Sequence, residues 1–137
     1  MKSLDPDSLP LVRIYDENPE FRRVLAESLC DFGFQVEVLE VLSAGHDRKL
    51  EGLNQEQVYI VDVSPQNYLP ALALAEQCSG RFGFVLTSIY AAADFQAGWL
   101  EEFRVRTCFL QKPFLLHNLL EFLLSLRRNE ANSPPEN

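Results

Sequence analysis

Leu11–Phe34 reads LVRIYDENPEFRRVLAESLCDFGF and holds a complete strand–helix unit. Leu11–Tyr15 (LVRIY) is a short, mostly apolar run, the mark of a strand covered on both faces. Asn18-Pro19 opens a helix, with Asn as the N-cap and Pro at the first helical position. Phe21, Val24, Leu25, Ser28, Leu29 and Phe32 follow on one helical face, and Gly33 is placed to end it. Phe34–Leu39 (FQVEVL) then alternates like a strand.

The same unit recurs along the chain. A weaker helix is predicted over 43–53. Val58–Val63 (VYIVDV) is an apolar run closed by Ser64-Pro65, and Tyr68–Cys78 is helical in composition. Phe82–Leu86 (FGFVL) reads as a strand and Ala91–Phe103 as a helix. Thr107–Leu110 (TCFL) is a strand, Lys112-Pro113 a turn, and Leu115–Arg128 the last helix. Five strand–helix units with apolar strands predict an α/β fold: a doubly wound, five-stranded parallel sheet with helices on both faces. Right-handed crossovers favour the flavodoxin-like strand order 2-1-3-4-5. Residues 1–10 read as an irregular lead-in, 11–128 as the domain and 129–137 as a mobile polar tail.

Composition narrows the function classes. The 137 residues suit one domain, and 47% hydrophobic with 23% charged residues suits a globular one. A net charge of −8 disfavours nucleic acid and anionic membranes as partners. No apolar run approaches the roughly 20 residues that span a bilayer. The N-terminus lacks the apolar stretch of a signal peptide, so a cytoplasmic location is expected. Cys30, Cys78 and Cys108 show no metal-ligand or disulfide pattern and are expected to be small buried hydrophobes. His46 and His117 lack partners at ligand spacing and read as surface residues. Arg13, inside the first strand, is expected at an edge or snorkelling to solvent.

In a doubly wound sheet, ligands bind beyond the carboxyl ends of the strands at the switch point. Asp16 and Glu17 follow the first strand, Asp62 ends the third, Thr87 and Ser88 end the fourth, and Lys112 ends the fifth. Converging carboxylates repel one another and call for a cation or protons. Hard oxygen ligands of this kind suit Mg²⁺, which takes one or two carboxylates together with phosphate oxygens and waters. Lys112 and the Thr87 hydroxyl would complete a phosphoryl site, and an aspartate can itself be the nucleophile.

On these residues the chain resembles a response-regulator receiver domain of two-component signalling. LVRIYDENPEFRRVLAESLCDFGF resembles that family's first strand, acidic pair and first helix. VYIVDV resembles the strand bearing the phosphoacceptor, FGFVLTS the strand ending in the switch hydroxyl, and CFLQKPF the Lys-Pro strand end. The resemblance runs from about Leu11 to Arg128. It implies Asp62 as phosphoacceptor, with Asp16, Glu17, Asp62 and the Ser64 backbone carbonyl as Mg²⁺ ligands. Thr87, Ser88 and Lys112 would bind the phosphoryl group, Thr87 and Phe109 would form the switch, and Pro113 would follow a cis peptide bond. The implied phosphoryl donor is a histidine kinase or phosphotransfer protein.

The chain departs from the family's usual pattern at Tyr15, Glu17, Ser88 and Ile89. The apolar Ile89 implies slow self-dephosphorylation, with no separate substrate turnover. The apolar excess on the last helix exceeds the stripe that packing on one sheet needs. With the preceding helix it predicts a partner or homodimer face through helix 4, strand 5 and helix 5, carried by Phe95, Trp99, Leu119 and Phe122. The alternative function is a receiver-like interaction module that works without phosphorylation. A haloacid-dehalogenase-like phosphatase would need an acid where Ser64 stands. A flavodoxin would need a phosphate-cradling loop where Asp16-Glu17 stands.

Overall fold

The computed structural model describes residues 9–42, 57–78 and 82–131. The strands are β1 (Leu11–Tyr15), β2 (Gln35–Val38), β3 (Gln57–Asp62), β4 (Phe82–Ser88) and β5 (Arg106–Gln111). The helices are α1 (Pro19–Asp31), α2 (Leu69–Glu76) and α3 (Leu116–Ala131). All pairings are parallel, in the order β2-β1-β3-β4-β5. This is the predicted topology. The helix predicted over 43–53 lies outside the described residues, as does His46.

Alternation along the strands divides the core between the two faces of the sheet. Val12, Ile14, Val58, Ile60 and Val85 face Leu25 and Leu29 of α1 and Leu119, Leu123 and Leu126 of α3. Tyr59, Val61, Phe84 and Leu86 face Ala71, Leu72, Leu74 and Ala75 of α2, together with Phe95, Trp99 and Phe103. Leu9, assigned to the lead-in, is buried in the first of these layers. It packs against Gly33, whose φ of +101° closes α1 in a conformation that L side chains rarely adopt.

Three local expectations are corrected. Ala91–Phe103 does not form an α-helix. It forms two single 3₁₀ turns, Ala92–Asp94 and Leu100–Glu102. Phe95 between them is extended and Gly98 has φ +80°. Aromatic packing holds the segment in place of a helical ladder. Phe95 and Trp99 stack at 4.1 Å, and Tyr68, Phe103 and Phe109 meet the Trp99 ring edge-on at 5.3–6.1 Å.

Second, Arg13 does not reach an edge. β1 lies between β2 and β3, and Arg13 is only 1% exposed. Its guanidinium donates to Glu37 Oε1 and Gln57 Oε1, both at 3.0 Å, and lies 5.6 Å from the Tyr59 ring centre. A buried charge needs such partners. Third, the cysteines are not core residues: Cys30 is exposed, and Cys78 and Cys108 are half-buried.

The surface residues expected to carry a partner face are also corrected. Phe95, Trp99 and Leu119 are buried, and Phe122 is half-buried against the α1–α3 layer. Leu119, Leu123 and Leu126 of α3 pack in the layer that α1 also covers, while Leu116, Leu120 and Leu124 beside them are half-buried. Exposed in this part of the chain is Leu115, just before α3.

Candidate functional site

The carboxyl ends of β1, β3, β4 and β5 meet around one cleft of about 360 Å³. It is lined by Asp16, Glu17, Asn18, Asp62, Val63, Ser64, Ile89, Tyr90 and Lys112. The parallel register explains the convergence: Asp62 pairs with Thr87, and Ser88 with Gln111, one residue before the lysine.

Asp16 is 2% exposed and held from three sides. Its Oδ1 accepts from the Asn18 N–H at 2.8 Å and its Oδ2 from Lys112 Nζ at 2.8 Å. Its backbone carbonyl accepts from Arg22 Nη1 at 3.0 Å. Asn18 is the N-cap of α1, accepting from the Phe21 N–H at 3.0 Å. The same short segment therefore starts the helix and orients the carboxylate.

Lys112 also donates to Asp62 Oδ1 at 3.2 Å, so one ammonium spans both carboxylates. The lysine is placed by its backbone N–H, which donates to the Ser88 carbonyl at 2.7 Å. The Lys112–Pro113 peptide is cis. Burial pushes the Asp62 carboxyl above its ordinary pKa; the negative charges of Asp16 and, less, Glu17 push the same way, and Lys112 opposes them.

Thr87 Oγ1 is fully buried and makes no hydrogen bond with the described residues. A buried unpaired hydroxyl costs about 1–3 kcal/mol, so its retention beside Asp62 asks for a partner. Ser88 is buried too, its Oγ accepting from the Tyr90 N–H at 3.1 Å. Phe109 lies behind this edge, edge-on to Phe95 and Trp99 at 5.9 and 5.6 Å.

The three acids are not drawn into a closed metal cage. Among the described residues no group of three or more His, Cys, Asp and Glu side chains is arranged to hold a metal ion. Instead the Lys112 ammonium bridges Asp16 and Asp62, while Glu17 is exposed on the cleft rim. The donor set still fits a hard dication. It offers all-oxygen ligands, and its three acids exceed its one lysine. Mg²⁺ usually takes no more than one or two carboxylates, with waters filling the remainder.

Phe21 was legible only as a core-face residue of α1. In the structure its ring centre lies 4.3 Å from Lys112 Nζ. Its position in the first turn after the Asp16-Glu17 pair is the one sequence signal that could have linked it to the site.

No family model matches the chain, and no curated protein matches it. Solved structures do. The signal receiver domain of a LuxO repressor protein from Vibrio parahaemolyticus superposes with a TM-score of 0.68 at 14% identity, over 94% of this chain and 98% of that one. A response regulator from Thermotoga maritima gives 0.66 at 19% identity, over 88% and 98%. The response regulator StyR gives 0.65 at 19% identity over 91% of this chain, which spans 62% of the StyR chain. With an all-parallel sheet in the order 2-1-3-4-5, the chain has the fold of the response-regulator receiver domain.

Proposed function

We propose that this domain is a phosphoreceiver switch with Asp62 as the acceptor. The observation that carries the reading is the convergence of Asp62, Asp16, Lys112 and the unpaired Thr87 hydroxyl at one end of the sheet. In the reaction, an Asp62 carboxylate oxygen attacks the phosphorus of a phosphohistidine. The new O–P bond forms as the N–P bond breaks, and the electron pair leaves on the imidazole. The product is an acyl phosphate. A histidine kinase or phosphotransfer protein supplies the phosphoryl group, which places the domain in the cytoplasm.

Asp16, Asp62 and Glu17, with the Ser64 carbonyl, would hold Mg²⁺, which neutralises charge on the phosphoryl oxygens. The chain's own residues do the remaining work. The Lys112 ammonium passes from the carboxylate oxygens to a phosphoryl oxygen. The Thr87 hydroxyl gains the acceptor it lacks, and Ser88 offers a second hydroxyl nearby. Ile89, 67% exposed on the cleft rim, covers the acyl phosphate with an apolar side chain and slows attack by water. The added charge of about −1.5 to −2 biases a two-state element. That element is Phe109 and its aromatic neighbours.

Beryllofluoride, a phosphoryl mimic, tests the reading. With Mg²⁺ it should shift the NMR signals of the Thr87 and Lys112 amides. Unchanged spectra would favour the alternative, an interaction module in which the Lys112 bridge is permanent.

A further inference from the structure

We propose that Phe21 is a positioning residue for Lys112: its ring face holds the ammonium in the notch between Asp16 and Asp62. The inference deepens the phosphoreceiver reading and rests on it for its effect on rate.

The geometry is over-determined from the carboxylate side. The Asp16 Oδ1 accepts from the Asn18 N–H, and the Asn18 Oδ1 accepts from the Phe21 N–H. Two consecutive short-range bonds therefore fix the Asp16 carboxylate and the base of the Phe21 side chain in one frame. Lys112 Nζ completes it, 2.8 Å from Asp16 Oδ2 and 4.3 Å from the Phe21 ring centre. Phe114, two residues beyond the lysine, meets the Phe21 ring edge-on at 5.9 Å and limits its rotation.

A cation over a ring face is attracted by the ring's quadrupole, most strongly where water is displaced. The Lys112 side chain is 13% exposed, so the ring replaces solvent on a side the carboxylates leave open. A lysine has a flexible four-carbon stem and rotatable donors. A shelf of this kind confines it without a competing oxygen acceptor, so the donors now on Asp16 and Asp62 can pass to a phosphoryl oxygen.

The experiment uses the full chain with ¹⁵N-labelled lysine. The chain has three lysines, so the Lys112 ammonium signal is assigned by elimination. In the wild type it should be sharp and slow to exchange, with the Lys112 εCH₂ protons shifted upfield by the ring. Phe21→Leu and Phe21→Met keep apolar volume and remove the ring face. In both, the ammonium signal should broaden into exchange with water, and Phe21→Tyr should restore it. Phosphorylation by acetyl phosphate should slow about two- to fivefold in the Leu and Met variants, the factor matching a cation–π contact at a partly exposed site. A merely structural role would lower the urea midpoint and leave the ammonium signal unchanged.

Ammonium signals as sharp in Phe21→Leu as in the wild type overturn the proposal. If neither apolar variant folds, the wild type decides, and εCH₂ protons at their random-coil position overturn it. An ammonium signal that follows the ring face in a protein never phosphorylated supports the positioning role and overturns the phosphoreceiver reading alone.

Discussion

Lys112 Nζ lies 2.8 Å from Asp16 Oδ2, although the two residues are 96 positions apart in the chain. The contact ties the end of β5 to the end of β1 beneath a cleft open to solvent. Removing the ammonium leaves a carboxylate that is 2% exposed and keeps, among the described residues, one hydrogen-bond donor, the Asn18 backbone N–H.

Lys112→Met should therefore destabilise the fold by on the order of 2 kcal/mol. This is below the cost of breaking a fully buried pair, because the cleft admits water. The same change should move the Asp62 carboxyl further up, since Lys112 is the group that draws it down. Urea denaturation at pH 7 and NMR titration of Asp62 measure the two effects separately.

Asp62 predicts the opposite sign. Its folded pKa is raised by burial and by Asp16. The folded state therefore binds more protons than the unfolded one between the ordinary aspartate value and the raised one. Its contribution is fully present below the unfolded pKa and is lost as pH rises through the folded pKa. Asp62→Asn should stabilise the protein at pH 7 by about 0.5–2 kcal/mol. That gain should shrink as pH falls towards the ordinary aspartate pKa. Thermal melts of both proteins across this window check the sign.

Thr87 should separate stability from the response to a phosphoryl mimic. Its buried Oγ1 makes no hydrogen bond with the described residues. Thr87→Val keeps the shape and suits a strand, so it should stabilise by about 1 kcal/mol. It should also remove the hydroxyl that a phosphoryl oxygen would engage, shrinking the beryllofluoride-induced shifts at Lys112. A Val variant that loses stability would mean the hydroxyl has a partner in the resting fold.

Trp99, the chain's one tryptophan, is a built-in reporter. It is buried, stacked on Phe95 and edge-on to Phe109. Its emission should be blue-shifted in the resting protein, change on addition of beryllofluoride with Mg²⁺, and lose that response in Phe109→Leu. Trp99→Ala should cost about 3–5 kcal/mol. An emission that ignores the phosphoryl mimic would disconnect Phe109 from the site.

The sheet was legible because β1, β3, β4 and β5 are largely apolar runs that end in or lead into polar residues, and those endings meet at the cleft, while β2 showed itself by alternation. The segment Ala91–Phe103 shows where local pattern fails. Phe95, Trp99 and Phe103 recur at helical spacing, yet they are buried by aromatic stacking around Gly98, a tertiary effect invisible to periodicity. The burial of Arg13 is likewise a tertiary effect. Its partners, Glu37 and Gln57, stand on neighbouring strands, so their registers had to be known first. The acids, the hydroxyl and the lysine were all readable from strand ends. That Lys112 bridges two of the acids, under a Phe21 ring, depends on side-chain placement that no spacing encodes.

The central claim is that Asp62 accepts a phosphoryl group. Intact mass after incubation with acetyl phosphate and Mg²⁺ tests it most directly. The predicted result is one phosphoryl adduct on the wild type, dependent on Mg²⁺ and missing from Asp62→Asn. A wild type left unmodified by both acetyl phosphate and a phosphohistidine donor, or an adduct that survives in Asp62→Asn, would contradict it.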